Sequence, residues 1–97
     1  MRRASKIDRN QGEIVSALKA VGCDVKSLAA VGDGCPDLLV LCRGVLYLME
    51  IKDGTLPPSR RKLTPDQVKF HDSWRGPIGV IKSVEEALQY VGMIESP

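Results

Sequence analysis

The order of apolar runs and helical stretches predicts an α/β fold: a mixed central sheet flanked by helices, in the order α-β-β-β-α-β-α. Three observations carry that expectation. Residues 34–54, GCPDLLVLCRGVLYLMEIKDG, hold two apolar β-runs around a tight turn at Arg43-Gly44. Two helix starts follow, Thr64-Pro65-Asp66-Gln67 and Ser83-Val84-Glu85-Glu86, each with capping-box spacing. A further short apolar strand, Ile78 to Lys82, lies between those two helices.

The chain of 97 residues is sized for a single domain, 1–97, with a modest core. Hydrophobic content of 43% and charged content of 27% are ordinary for a globular protein. Aromatic residues make up only 4%, so the core must rest on Val, Ile and Leu. The net charge of +2 is too small to point to a polyanion by itself, but its distribution is uneven. Arg2, Arg3, Lys6 and Arg9 crowd the N-terminus, Arg60, Arg61 and Lys62 form a second run, and Glu85, Glu86 and Glu95 occupy a tail without cations. Such segregation suits a basic face for a polyanion, or equally an unevenly charged solvated surface. Cys23, Cys35 and Cys42 lack metal-site spacing, and one histidine, His71, completes no zinc set, so reduced thiols in a cytoplasmic protein are expected. The charged N-terminus offers no signal peptide, and no apolar run is long enough for a membrane span.

Taken in order, Ile7 to Val21 reads as a first helix, with Asp8 as a possible N-cap, Ile7, Ile14, Leu18 and Val21 near one stripe, and Gly22 as its stop. Cys23 to Ala30 reads as a first strand, and Val31 to Pro36 as a glycine-bearing loop. The hairpin strands are Asp37–Cys42 and Val45–Lys52. A loop centred on Arg43-Gly44 sets Cys42 against Val45, Val40 against Tyr47 and Asp37 against Glu50. Alternation then puts Asp37, Leu39, Leu41, Leu46, Leu48, Glu50 and Lys52 on one face. Both faces are apolar, as in a central strand pair covered on both sides. A bulge in the turn would move Asp37 to the other face. Asp53 to Lys62 reads as a mobile surface loop, and a second helix runs to about Trp74, docked by Phe70 and Trp74. Val84, Ala87, Leu88 and Val91 give the last helix its apolar stripe.

The charges inside the hairpin carry the chemistry. Two facing carboxylates, Asp37 and Glu50, repel unless they are simply solvated or a cation lies between them. Oxygen ligands suit Mg²⁺ or Mn²⁺. Lys52 points to the same side, where it could hold an attacking water or a phosphate oxygen. Two carboxylates, a metal and a lysine are the parts needed to hydrolyse a phosphodiester.

These residues carry a resemblance. Pro36-Asp37, followed thirteen positions after Asp37 by Glu50-Ile51-Lys52, resembles the PD-(D/E)XK nuclease signature. The wider pattern, Gly34-x-Pro36-Asp37-Leu38, Glu50-Ile51-Lys52-Asp53-Gly54 and Leu63-Thr64-Pro65-x-Gln67, is similar to the VRR-NUC branch in its stand-alone phage or bacterial type. The spacing of Glu13, Asp37, Glu50 and Lys52 is also similar to that of archaeal Holliday-junction resolvases. The resemblance implies a restriction-endonuclease-like fold and a metal-dependent, structure-selective DNA endonuclease, with four-way junctions as leading substrate. Asp37 and Glu50 would hold Mg²⁺ or Mn²⁺, with the Ile51 carbonyl as a further ligand and Lys52 positioning or activating water. By the same resemblance Glu13, otherwise an ordinary exposed helix glutamate, completes the acidic cluster. Gln67 joins the shell, although its place in the capping box is a sufficient structural reason for it; the two roles are expected to need different conformers. Arg2, Arg3, Lys6, Arg9, Arg60, Arg61, Lys62 and Lys69 are the expected DNA contacts. A homodimer follows from the two symmetric cuts a junction needs, joined through Val84, Leu88, Val91, Met93 and Ile94 or through a sheet face. A nicking nuclease indifferent to junctions and a DNA-binding module that does not cleave are the other readings.

Overall fold

The computed structural model describes residues 7–95. Three helices, α1 (Gln11–Ala20), α2 (Pro65–Ser73) and α3 (Val84–Tyr90), surround a four-stranded sheet of β1 (Asp24–Ser27), β2 (Leu38–Cys42), β3 (Val45–Ile51) and β4 (Ile78–Ile81). The strands lie in the order β1-β2-β3-β4. The first two neighbours pair antiparallel and β3 pairs parallel with β4, so the sheet is mixed, as expected. Among the described residues no helix is long and apolar enough to cross a membrane.

The hairpin keeps the expected register. Cys42 pairs with Val45, Val40 with Tyr47 and Leu38 with Met49. Arg43 and Gly44 both have positive φ, 49° and 80°, which matches a two-residue turn to the twist of the strands without a bulge. The Arg43 guanidinium also donates to the carbonyls of Val91 and Gly92 at 3.1 and 3.0 Å, closing the end of α3.

The two faces of the sheet are not alike, which corrects the expectation of a pair covered on both sides. Leu38, Val40, Met49 and Ile51 are buried with Ile14 and Leu18 of α1 and with Ala87 and Val91 of α3. On the other face Leu48 is buried, but Leu41 and Leu46 are 38% and 54% exposed. Helix α2 is too short to cover that face: Phe70 and Trp74, stacked at 5.3 Å, wall only one side of an open apolar groove of about 600 Å³. The C-terminal apolar residues are likewise not left over for a partner. Val91 is in the core, Val84, Leu88 and Met93 pack against it, and Ile94 is exposed.

Helix α1 begins later than Ile7, because Asn10 is its N-cap residue and Asp8 belongs to the turn before it. The 53–62 segment is tied down at its start. Asp53 is buried and accepts from the Thr55 hydroxyl and N–H, and a 3-10 turn spans Pro58–Arg60. Cys23 and Cys42 are free, buried thiols in contact, and burial pushes Cys23 up to about 12, so Cys23 carries no ready nucleophilic chemistry.

Candidate active site

Asp37 immediately precedes β2 and Glu50 lies near the end of β3, so the hairpin register sets them side by side. They are 8% and 2% exposed. One oxygen of Asp37 accepts the Ile51 N–H at 2.7 Å, which fixes that carboxyl to the strand. Glu50 receives the Gln67 amide on Oε2 at 3.2 Å, while its Oε1 is buried without a hydrogen-bond donor among the described residues. Burial first, and then the adjoining Asp37 carboxyl, push the Glu50 carboxyl up to about 9; Lys52 opposes the shift. Without a cation, Glu50 therefore favours its protonated form at neutral pH.

Lys52 completes the group. Its ammonium donates to Gln67 Oε1 at 3.0 Å and lies 3.9 Å from Glu50 Oε2. Gln67 makes both sets of contacts that were expected to exclude each other. Its Oε1 accepts the Thr64 N–H at 2.8 Å as well as Lys52, its own N–H donates to the Thr64 hydroxyl, and its Nε2 is free for Glu50. The amide oxygen has two lone pairs and the nitrogen two donors, so one conformer suffices. The capping box is thus what aims the glutamine. Gly34 lets α2 approach: a Cβ there would stand 2.3 Å from the Asp66 carbonyl oxygen, and its φ is +78°.

No protein-family model and no curated protein matches the chain. A solved VRR-NUC domain is similar to it, with 28% identity and a TM-score of 0.62 over 87% of this chain and 96% of that one. This likeness supports a nuclease domain of the VRR-NUC type. Its restriction-endonuclease-like fold follows from the same likeness and the mixed sheet.

Around the pair, the domain opens a pocket of about 400 Å³ in which Asp8, Asp33, Cys35 and Asp66 join Asp37, Glu50, Lys52 and Gln67. Glu13 is not brought there. It is exposed and lines a different cleft with Asn10, Asp53 and Arg61, because α1 starts at Gln11 and turns that residue away. Asp8 stands in the pocket instead, and its charge contributes to raising Glu50. The clue lay in Asn10-Gln11-Gly12-Glu13 before Ile14: capping-box spacing places the helix start at Asn10, and hence Asp8 ahead of it.

Of the basic residues, Arg2, Arg3 and Lys6 lie outside the described residues. Arg9 is exposed and pairs with Asp53 at 3.7 Å. Arg60, Lys62 and Lys69 are exposed, and Arg61 is half-buried in the cleft that holds Glu13.

The donor set fits a hard divalent cation. Two converging carboxylates, one with an oxygen that lacks any donor, suit an ion that takes one or two carboxylates and fills its shell with water and substrate phosphate. Among the described residues no third His, Cys, Asp or Glu completes an all-protein ligand set.

Proposed function

We propose that this domain is a metal-dependent, structure-selective DNA endonuclease that cuts four-way junctions as a homodimer. The observation that carries the reading is the buried Asp37–Glu50 pair, with Lys52 held beside it by Gln67 at the floor of an open pocket. Asp37, Glu50 and the Ile51 carbonyl would hold Mg²⁺ or Mn²⁺. Such an ion lowers the pKa of water and offsets charge building on the phosphate.

The chain's own residues do the rest. Lys52 presents an ammonium at the edge of the pair, where it holds the attacking water or a non-bridging phosphate oxygen. Gln67 ties Lys52 and Glu50 into one hydrogen-bonded group, so neither has to reorganise as substrate arrives. Arg9, Arg60, Lys62 and Lys69 are exposed and meet backbone phosphates, with Arg2, Arg3 and Lys6 assigned the same task from sequence. Two cuts on symmetric strands need two copies of this single site, and a two-fold dimer supplies them. The open face with Leu41, Leu46 and Trp74 favours the sheet over the C-terminal segment as the join, since the latter is packed into the core.

The test is purified protein with Mg²⁺ or Mn²⁺ on labelled linear, flapped, splayed and four-way DNA. Paired, symmetric incisions in the four-way substrate are expected. Equal nicking of all four substrates would replace the junction reading with a general nicking nuclease, and binding without cutting would leave a DNA-binding module.

A further inference from the structure

Asn10 occupies the N-cap position of α1, yet its side chain makes no cap hydrogen bond. Asparagine is among the best N-cap residues, and a helix start normally uses it for its own unpaired N–H groups. Here the amide is turned away from the helix. Its Nδ2 donates at 3.1 Å to the carbonyl of Lys52 and at 3.1 Å to the carbonyl of Lys82, residues that end β3 and β4. Its Oδ1 is left buried with no donor among the described residues. A residue that gives up a favourable local bond and leaves a buried oxygen unsatisfied must be held by what its nitrogen does.

What that nitrogen does is join two parallel strands where their ladder ends. Beyond Ile51 and Ile81 the strands share only the Lys52 N–H to Ile81 carbonyl bond and the Gly54 N–H to Lys82 carbonyl bond, at 3.0 and 3.2 Å. Lys52 sits there, just past the last residue of β3, and a strand end frays unless something pins it. The neighbours of Asn10 act on the same segment: Arg9 pairs with Asp53, and Asp8 lines the catalytic pocket.

We infer that Asn10 is a positioning residue for Lys52, clamping the ends of β3 and β4 so that the lysine backbone stays fixed while its ammonium works. This rests on the nuclease reading for its consequence, but the clamp itself can be measured without cleavage.

The experiment compares the full chain with Asn10→Ser and Asn10→Asp. Both replacements are favourable N-cap residue types, and neither can donate to the two carbonyls as the amide does. Amide hydrogen exchange at Lys52 and Gly54 should quicken by about tenfold or more while Ile14 and Leu18 in α1 exchange as before. On a cleaved DNA, kcat should fall by about tenfold or more with KM little changed, as expected when a catalytic group is misplaced and binding is intact. Unchanged exchange at Lys52 and Gly54 would overturn the clamp. Faster exchange with wild-type kcat would overturn the positioning role. Failure of the unaltered protein to cut any DNA would instead count against the nuclease reading, leaving the exchange result to judge the clamp.

Discussion

Gln67 and Glu50 meet at 3.2 Å across the gap between α2 and β3, amide nitrogen to carboxylate oxygen. The same amide caps its own helix through Thr64 and receives Lys52. One side chain therefore couples the start of a helix to the chemistry, and the two tasks can be separated by substitution. Gln67→Glu keeps an acceptor for the Thr64 N–H but replaces the donor to Glu50 with a second carboxylate. It should fold normally and lose roughly 10–100-fold in kcat. Gln67→Ala should lose cleavage and, in addition, about 1 kcal/mol of stability. Thermal melts and single-turnover rates on the same samples check both, and a Gln67→Glu enzyme as fast as the parent would leave the residue as a cap alone.

Gly34 is the second point at which backbone geometry serves the site. Any Cβ there meets the Asp66 carbonyl at 2.3 Å, and the positive φ adds strain. Gly34→Ala should destabilise the fold on the order of 1–3 kcal/mol and push α2, with Gln67, away from Glu50. Gly44→Ala offers the contrast, because its Cβ would meet nothing within 4 Å despite a φ of +80°. A drop in kcat for the folded fraction of Gly34→Ala, absent in Gly44→Ala, is the expected pattern.

Much of the hairpin and its site is legible in the sequence, for definite reasons. The Arg43-Gly44 turn fixes a period-two register, so the spacing of the residues alone sets Asp37 against Glu50. The capping box at Thr64 likewise locates α2. The sharing of Gln67 between cap and site is not legible, because it depends on the approach angle of α2, which Gly34 permits. Glu13 is placed in the cluster only by the resemblance; the stripe of Ile14 and Leu18 leaves it exposed, and there the structure has it. The bare outer face escapes sequence reasoning because Leu41 and Leu46 carry the same alternation whether or not a helix covers them.

The raised Glu50 carboxyl makes stability depend on pH. Below about 4.5 the group is protonated in both folded and unfolded chains, so it contributes no slope. Between there and about 9 the unfolded chain has lost the proton that the folded one keeps, so the metal-free protein should lose stability as pH rises. Glu50→Gln should flatten that slope. Mn²⁺ should do the same in the parent by taking the proton's place, with proton release visible by calorimetry in two buffers of different ionisation enthalpy. A melting temperature that climbs steadily from pH 5 to pH 8 in the presence of chelator would contradict the assignment.

Leu46 is 54% exposed beside Leu41 on the uncovered face. If copies of the domain join there, Leu46→Glu should give a monomer in sedimentation equilibrium at micromolar concentration, with monomer stability changed by no more than about 0.5 kcal/mol. It should still nick single strands while losing the pairing of its cuts. A parent protein that sediments as a strict monomer would remove the dimer and, with it, the two-cut junction reading.

The most direct measurement is single-turnover cleavage of labelled four-way DNA in Mn²⁺ by the parent, Lys52→Ala and Glu50→Gln, each shown to be folded. Lys52→Ala should cut at least about 100-fold more slowly while still binding Mn²⁺, because the proposed role of the lysine is toward the water or phosphate and not as a ligand. Glu50→Gln should lose both Mn²⁺ affinity and cleavage. Cleavage by either variant at the parental rate would place the reaction somewhere other than the Asp37–Glu50–Lys52 cluster.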